Sequence, residues 1–278
     1  MHQLSFDSVQ GLGGFYSEEK AKLAMPSASA LRLEIEHALE HRFPAALTPA
    51  PRGFQEVAPT GIDEVDELLG GGIPIGTISE LTGPESSGRT SLALAFLARC
   101  TQQGRACAIV DAQDAFDPES AAASGVRLKQ LLWVRCRGAG MRSNEKPWSR
   151  LDQALRATDL LLQSGGFAAI VLDLGGTTPE HGSRIPLATW FRFRQTASRT
   201  QCSLVVIGQA AMAQSSAAVV LECMPMRAQD EGGTVLNGFS FDIRRARAAT
   251  SAHSFARARK PVASTWSVDS AWAGEMRA

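Results

Sequence analysis

The segment from Gly83 to Thr90 has the glycine spacing of a loop that binds phosphate groups. It follows a predicted strand, precedes a predicted helix and reads Gly83-Pro84-Glu85-Ser86-Ser87-Gly88-Arg89-Thr90. In such loops, backbone N–H groups converge on phosphate at the start of a helix, a lysine reaches the β- and γ-phosphates, and a hydroxyl holds Mg²⁺. Arg89 stands in the lysine position, so the charge is carried by a planar, bulkier group. The segment therefore predicts a phosphate-binding loop with altered geometry.

The residues around this loop resemble the core of RecA. The run GGGIPIGTISELTGPESSGRTSLALAFLA is similar to the RecA segment that holds its phosphate-binding loop, and VDAQDAFDP is similar to the run after its second core strand. The runs FAAIVLD and VVIGQ follow in the order of the family. Together the matches cover roughly residues 55–210, and they imply a RecA-type P-loop ATPase core.

The resemblance implies a role for each polar residue at the ends of these runs. Asp173 corresponds to the Walker B aspartate and would hold Mg²⁺ together with Thr90. Gln209 corresponds to the glutamine that senses nucleotide, and Asp117 to an aspartate that contacts adenine. ATP and Mg²⁺ are therefore the cofactors that the family implies.

Three departures from the RecA pattern fall at this one site. Gln113 replaces the glutamate that activates the attacking water, and a glutamine cannot accept a proton at neutral pH. Arg89 replaces the lysine, and Ser120 replaces the aromatic residue that stacks on adenine. We expect no efficient ATPase, with ATP and Mg²⁺ bound weakly or not at all. Weak ATP binding with slow turnover is the alternative.

The order of elements predicts an α/β fold. Buried apolar runs alternate with helical segments from about residue 54 onward, which indicates βαβ units and a mainly parallel central sheet flanked by helices. Two later strands, within AAVVLECM and GFSFDIRRARA, are expected to lie antiparallel at the sheet edge. We assign residues 1–50 to an N-terminal arm, 51–264 to a RecA-like core and 265–278 to a C-terminal tail.

The arm combines an amphipathic helix with a proline-rich linker. Leu31–His41 has apolar residues at helical spacing, and the three prolines that follow cannot continue a helix. The sequence from Phe43 to Ala46 resembles the FxxA hook by which some recombinases dock onto a neighbour. Phe43 and Ala46 are therefore candidate partner contacts; the alternative is that the helix packs on its own domain.

Two stretches without acidic residues are candidates for contact with DNA or an acidic partner. Residues 181–221 mix Trp190, Phe191 and Phe193 with arginines, although such a helix is more often a core helix with a solvated face. The second stretch extends from Ile243 to Trp266 and contains Arg244, Arg245, Arg247, Arg257, Arg259 and Lys260.

Overall composition restricts the function classes. Lys+Arg and Asp+Glu both total 28, so the net charge does not call for nucleic acid or a membrane. The five cysteines have no CxxC spacing, which favours buried thiols over a zinc site or a disulfide framework. The sequence shows neither a secretory signal nor about 18 consecutive apolar residues, so a cytoplasmic location is expected.

RecA contacts DNA through two loops; here the first, from Gly175 to Ser183, is much shorter, and no glycine-rich insertion follows Gln209. A RecA-like core with such reduced loops, a short arm and an altered nucleotide site resembles the ImuA family. The resemblance implies an accessory role in SOS mutagenesis and translesion synthesis, through contacts with RecA and ImuB and with single-stranded DNA as a further candidate ligand. Two alternatives stay open: an active DNA-dependent ATPase or recombinase paralogue, and a division inhibitor similar to SulA, whose target is FtsZ. ATP turnover would identify the first alternative, and capture of FtsZ would identify the second.

Overall fold

The structure, a computed structural model, describes residues 56–136, 147–231, 235–248 and 262–269, together with the isolated positions 30 and 34. The chain divides into two units, residues 1–52 and 53–278. In the first unit, Ala30 and Glu34 are helical and exposed. Several predicted features lie outside the described residues: the rest of the arm helix, the proline-rich linker, Phe43, Ala46, Arg257, Arg259 and Lys260.

Eleven strands and six α-helices are formed by the described residues. The strands are β1 Val57–Ala58, β2 Ile73–Pro74, β3 Ile78–Thr82, β4 Cys107–Asp111, β5 Leu131–Arg135, β6 Ala169–Asp173, β7 Ser203–Gly208, β8 Ala217–Cys223, β9 Arg227–Glu231, β10 Val235–Ala248 and β11 Ala263–Asp269. The helices are α1 Asp63–Leu69, α2 Arg89–Gln102, α3 Pro118–Ala123, α4 Pro147–Ser164, α5 Pro179–Gly182 and α6 Leu187–Thr200.

Nine of these strands form the central sheet, in the order β11-β10-β8-β3-β7-β6-β4-β5, with β9 also paired to β10. The six strands from β8 to β5 are parallel, whereas β10 is antiparallel to β8, β9 and β11. The predicted α/β fold with a mainly parallel sheet is confirmed.

Two details of the sheet differ from the sequence prediction. Strand β8 is parallel to β3 and lies inside the sheet, and all of its residues are buried or half-buried. Near-continuous burial of this kind is typical of a parallel strand covered on both faces. Strand β11 ends at Asp269, so residues 265–269 of the predicted tail belong to the sheet. Trp266 explains this extension, because its ring stacks on Phe241 of β10 with centroids 4.3 Å apart.

The core consists of two apolar clusters, one on each face of the sheet. Helices α1 and α2 cover one cluster with residues such as Leu68 and Phe96, and α4 and α6 cover the other with residues such as Leu162 and Trp190. All five cysteines are free and buried, as expected. Within the described residues, we find no helix with the length and apolar character needed to cross a membrane.

The parallel strands end at a common edge, which places their last residues side by side. Asp111 at the end of β4 is in register with Asp173 at the end of β6, and Thr82 at the end of β3 is in register with Gly208 at the end of β7. The carboxyl ends of parallel strands are where α/β proteins place their binding sites. The phosphate-loop residues begin directly after Thr82, at this same edge.

Candidate functional site

The predicted phosphate loop connects β3 to α2, and its two glycines are required by close packing. Gly83 has a φ of 149°, and a Cβ there would lie 2.2 Å from the carbonyl oxygen of Cys223. Gly88 has a φ of 79°, and a Cβ there would lie 2.6 Å from the ring of Phe241. Strands β8 and β10 therefore press directly on the loop, and a side chain at either position would displace them.

The backbone of this loop leaves its amides available. Among the described residues, no protein acceptor pairs with the N–H groups of residues 85–90, and Leu92 is the first helical amide to be bonded, to the Gly88 carbonyl at 2.9 Å. The Met226 amide donates to the Ser86 carbonyl at 3.0 Å and holds the loop from outside. The loop lies at the start of the 14-residue helix α2, whose dipole favours an anion. These amides fit a phosphate group.

Arg89 directs its charge to the ends of the strands. Its side chain is 8% exposed, and Nη1 donates to the carbonyl oxygen of Gly208 at 2.6 Å. A Cβ placed on Gly175 would lie 3.9 Å from the same nitrogen. The guanidinium thus lies between the end of β7 and the loop after β6. It satisfies a buried backbone carbonyl there, which a shorter or neutral side chain would leave unpaired.

Asp173, at the end of β6, lies in the same region as the Arg89 guanidinium. We call the region of Arg89, Gln113 and Asp173, at the ends of the strands, the corner. Burial raises the pKa of its carboxyl, while the Gly175 amide, which donates to Oδ1 at 2.8 Å, and the charge of Arg89 act in the opposite direction. Thr90, the other predicted Mg²⁺ ligand, is exposed on the first turn of α2. Asp173 is therefore already bonded to a backbone amide, with the Arg89 guanidinium near the same Gly175, so Asp173 and Thr90 fit Mg²⁺ less well than the loop amides fit phosphate.

Gln113 lies over the loop that follows β6. A Cβ on Gly176 would lie 2.9 Å from the Gln113 side-chain Cδ, so the two residues are in direct contact. Its amide donates to Oδ1 of Asp111 at 3.1 Å. The structure therefore brings Gln113 close to the end of β6, and its correspondence to the catalytic glutamate of RecA stays a prediction. A carboxamide at this point can orient a water molecule without taking its proton.

Asp111 organises the Gln113 loop, and the sequence analysis missed it. Its fully buried carboxylate accepts the amides of Gln113 and Ala115 at 3.1 Å and of Phe116 at 2.9 Å. The indole N–H of Trp133 on β5 adds a fourth bond at 3.3 Å. A carboxylate that ends an apolar strand was the same signal that identified Asp173, so Asp111 could have been found.

A second group of side chains holds the segment between β7 and β8, residues 209–216. Gln209 donates from Nε2 to the Gly175 carbonyl at 3.3 Å, which joins the predicted sensor to the loop after β6. Glu80 of β3 accepts the amides of Met212 and Ala213 at 2.6 and 2.9 Å, and Arg247 of β10 donates to the Gln214 carbonyl. We call residues 209–216 the β7–β8 segment. Glu80 was not predicted, since no local pattern points to it.

Burial controls the ionisation of Glu80. The residue is 1% exposed, and its Oε2 atom has no hydrogen-bond partner in the described part of the chain. Burial raises the pKa of its carboxyl, and the amides of Ala213 and Met212 and the charge of Arg247 oppose that rise. The carboxyl is thus held at the centre of the sheet by backbone amides and one distant cation.

The predicted adenine contact has a structural role in the fold. Asp117 caps helix α3, accepting the amides of Glu119 at 3.2 Å and Ser120 at 3.1 Å and the Ser120 hydroxyl at 2.5 Å. The Ser120 hydroxyl, followed by the two amides, lowers the pKa of this carboxyl. Ser120, at the position where RecA has the stacking ring, is therefore itself bonded to the capping residue Asp117. Contact of Asp117 with a base stays a prediction.

The described arginines of the second basic stretch are engaged within the chain. Arg244 pairs with Glu222, Arg245 donates to the Leu68 carbonyl at 2.7 Å, and Arg247 is bonded as described above. On α6, Trp190 and Phe193 are fully buried, whereas Phe191 is exposed. Helix α6 is thus a core helix with a solvated face. Contact of Arg244, Arg245 and Arg247 with DNA or an acidic partner stays a prediction.

The parallel sheet, the loop from β3 into α2, and the aspartates at the ends of β4 and β6 make this α/β fold similar to the core of RecA. The model of the RecA N-terminal domain matches residues 52–181. Protein RecA of Brucella anthropi is 34% identical over 172 residues, which are 56% of this chain and 44% of that protein. Protein RecA of Treponema denticola is 39% identical over 130 residues, 46% of this chain and 28% of that protein.

The crystal structure of the RadB recombinase shares the fold. It superposes with a TM-score of 0.51 and 18% identity, covering 75% of this chain and 94% of RadB. The sequence matches, together with this fold, support a relationship of the chain to the RecA/RadA superfamily and its RecA-like recombinases. The chain spans less than half the length of the RecA proteins named above.

Proposed function

We propose that this protein is a RecA-like accessory factor of DNA-damage-induced mutagenesis, acting through contacts with RecA and ImuB rather than through ATP turnover. The observation that carries the proposal is the position of Arg89. The cationic side chain that would neutralise the γ-phosphate is instead bonded to the Gly208 carbonyl inside the protein. The assignment to the ImuA family rests on the resemblance of a RecA-like core that has a short arm, an altered nucleotide site and reduced DNA loops.

Two losses act together against turnover. Phosphoryl transfer depends almost entirely on positioning and on charge stabilisation of the transferred group. Because Arg89 is bonded to Gly208, its charge does not reach the transferred phosphate. Gln113 cannot serve as a general base, and loss of a general base lowers the rate by a factor on the order of 10²–10⁴. We therefore expect hydrolysis to be at least about a hundredfold slower than in an intact site.

The segments that correspond to the DNA loops of RecA support a partner-binding role. After β6 only five residues, 174–178, precede the short helix α5, and the β7–β8 segment is bonded by Glu80, Gln209 and Arg247. A segment fastened at several points is poorly suited to the order–disorder changes by which mobile loops respond to ligands. Strand exchange of the RecA type is therefore not part of the proposal.

The test combines turnover with partner capture on the purified protein. We expect no ATP hydrolysis above that of the Asp173→Ala variant, with or without single-stranded DNA, and retention of RecA and ImuB on the immobilised chain. Hydrolysis that DNA stimulates and that Asp173→Ala abolishes would overturn the proposal. Retention of FtsZ in place of RecA and ImuB would favour the division-inhibitor alternative.

One observation favours the second candidate, an active ATPase paralogue. The amides of residues 85–90 have no acceptor in the described part of the chain, and they form a cradle that would receive the phosphates of ATP. In that case Arg89 would leave the Gly208 carbonyl when nucleotide binds. The same turnover experiment separates the two candidates, because only the paralogue hydrolyses ATP.

A further inference from the structure

The phosphate loop and the corner beside it make different demands on a ligand. The amides of residues 85–90 can accept the charge of two adjacent phosphates, as loop amides do with the α- and β-phosphates of nucleotides. A third phosphate would extend toward the carboxylates at the ends of β4 and β6. It would meet them without the free cation that normally offsets its charge, because Arg89 is bonded to Gly208.

The Arg89 guanidinium also brings a positive charge into the region where a metal ion would lie. A Cβ placed on Gly175 would lie 3.9 Å from Arg89 Nη1 and 3.0 Å from Asp173 Oδ1, so the two side chains face the same residue. Asp173 Oδ1 is further occupied by the Gly175 amide at 2.8 Å. Mg²⁺ dehydrates reluctantly and demands near-ideal octahedral geometry, so it gains little from a carboxylate that is already bonded to a backbone amide and has a guanidinium in the same region.

We propose that Arg89 is the resident cation of this corner, so that the loop binds diphosphate groups, as in nucleoside diphosphates or pyrophosphate, without Mg²⁺ and without preference for a third phosphate. Arg89 is then a residue that determines specificity. The inference rests on the proposed function insofar as it takes the nucleotide site to be catalytically altered. It goes further by naming the ligand class and the metal requirement.

The experiment is a calorimetric titration of the full chain with ADP, ATP and inorganic pyrophosphate, each in Mg²⁺ and in EDTA. For the wild type we expect ADP affinities that agree within about threefold between the two conditions, and ATP that binds no more tightly than ADP. Hydrogen exchange should slow at residues 85–90 when ADP is added. ATP bound at least about tenfold more tightly with Mg²⁺ than with EDTA would overturn the inference.

Two variants sharpen the test. Arg89→Lys should restore a free ammonium and make ATP binding at least about tenfold tighter in Mg²⁺ than in EDTA. Thr90→Ala, which removes the hydroxyl that would hold Mg²⁺, should remove the Mg²⁺ effect in the Arg89→Lys background. An Mg²⁺ effect lost on Thr90→Ala alone would contradict the inference.

The outcomes also separate this inference from the proposed function. If the wild type binds none of the three ligands, the inference fails while the partner-binding role stands. If ATP is hydrolysed in the presence of DNA, the proposed function fails first. Should Arg89→Lys not fold, as judged by circular dichroism, the comparison of Mg²⁺ with EDTA in the wild type still decides.

Discussion

The phosphate loop and the corner beside it have diverged from RecA to different degrees. The loop keeps its glycines and its open amides, whereas the corner has changed the side chains at Arg89 and Gln113 and connected Arg89 to a backbone carbonyl. The difference has a physical cause. Gly83 and Gly88 are held by Cys223 and Phe241 whether or not a ligand is bound, but the side chains of the corner need only satisfy their local partners.

This contrast shows what a phosphate-loop signature establishes. A glycine that contacts neighbouring strands is required by the fold, so its presence does not show that nucleotide is used. Chemistry is better judged from positions where the packing would accept the functional side chain. A different residue at such a position indicates that the chemistry has changed. The predictions that follow separate the demands of packing from those of chemistry.

The largest effect is expected for Gly88→Ala, with Gly104→Ala as its matched control. The two glycines have φ values of 79° and 75°, but an added Cβ meets the Phe241 ring at the first and nothing within 4 Å at the second. We expect Gly104→Ala to cost about 1 kcal/mol from backbone strain and Gly88→Ala about 1–3 kcal/mol more from overpacking. Denaturant unfolding measures both.

A double variant decides whether Phe241 is responsible. Phe241→Ala lowers stability by itself, but Gly88→Ala should cost no more than Gly104→Ala in that background, because the ring is absent. Equal costs for Gly88→Ala and Gly104→Ala in the wild type would show that packing does not impose the loop glycine. The loop signature would then be evidence for nucleotide after all.

Asp111→Asn should have the next largest effect. One carboxylate oxygen faces the amides of Gln113 and Ala115, and the other faces those of Phe116 and the Trp133 indole. In either orientation an asparagine places its NH₂ group against N–H donors, so we expect a loss of about 3 kcal/mol in the free energy of unfolding.

Asp173→Asn is the control for this substitution, at the same height on the neighbouring strand. Its Oδ1 atom can still accept the Gly175 amide, and burial already raises the pKa of the native carboxyl, so a neutral group is tolerated. We expect a change of less than about 1 kcal/mol. A larger loss at Asp173 than at Asp111 would mean that the corner depends on the Asp173 charge more than its contacts indicate.

Much of the fold and of the loop was predictable because the signals are local. Apolar runs between glycine-terminated helices gave the parallel sheet, and the spacing of Gly83 and Gly88 located the phosphate loop between a strand and a helix. Local patterns could not assign β8 to its partner, because AAVVLEC has the same composition in a parallel and in an antiparallel pair.

The chemistry of the corner was less accessible because its contacts join distant parts of the chain. Arg89 and Gly208 are 119 residues apart, and Glu80 and Met212 are 132 apart. The type of residue at position 89 predicted an altered geometry, but the acceptor of its guanidinium follows from the strand order. Glu80 resembles any polar residue in a strand until the β7–β8 segment is placed over it.

Glu80→Gln should change how stability depends on pH. The pKa of Glu80 is raised above its ordinary value of 4.5, so its contribution to stability is full below that pH and is lost as pH rises through the raised value. Glutamine retains an acceptor for the Met212 and Ala213 amides and does not titrate. The free energy of unfolding of the variant, minus that of the wild type, should therefore increase with pH.

The difference between the two proteins is the quantity to measure, because Asp173 and other carboxyls titrate in both. Its slope cannot exceed the value for one proton, about 1.4 kcal/mol per pH unit. A difference that is flat with pH, or that falls, would mean that the amides and Arg247 outweigh burial. The β7–β8 segment would then be held by a carboxylate that is charged at all these pH values.

The smallest effect is expected for Asp117→Asn, which probes the side of the site where a base would stack. Asparagine caps helices about as well as aspartate, so the variant should keep the bonds to Glu119 and Ser120 and unfold like the wild type. With no ring at position 120, we expect ADP affinity to change by less than about twofold.

Asp117→Ala, which removes the cap, should instead loosen α3, seen as faster hydrogen exchange in residues 118–123. A large loss of ADP binding in Asp117→Asn, with stability unchanged, would show that the carboxylate recognises the base despite its capping bonds. The altered region would then be confined to the corner around Arg89, and the base side would belong with the loop that keeps the RecA pattern.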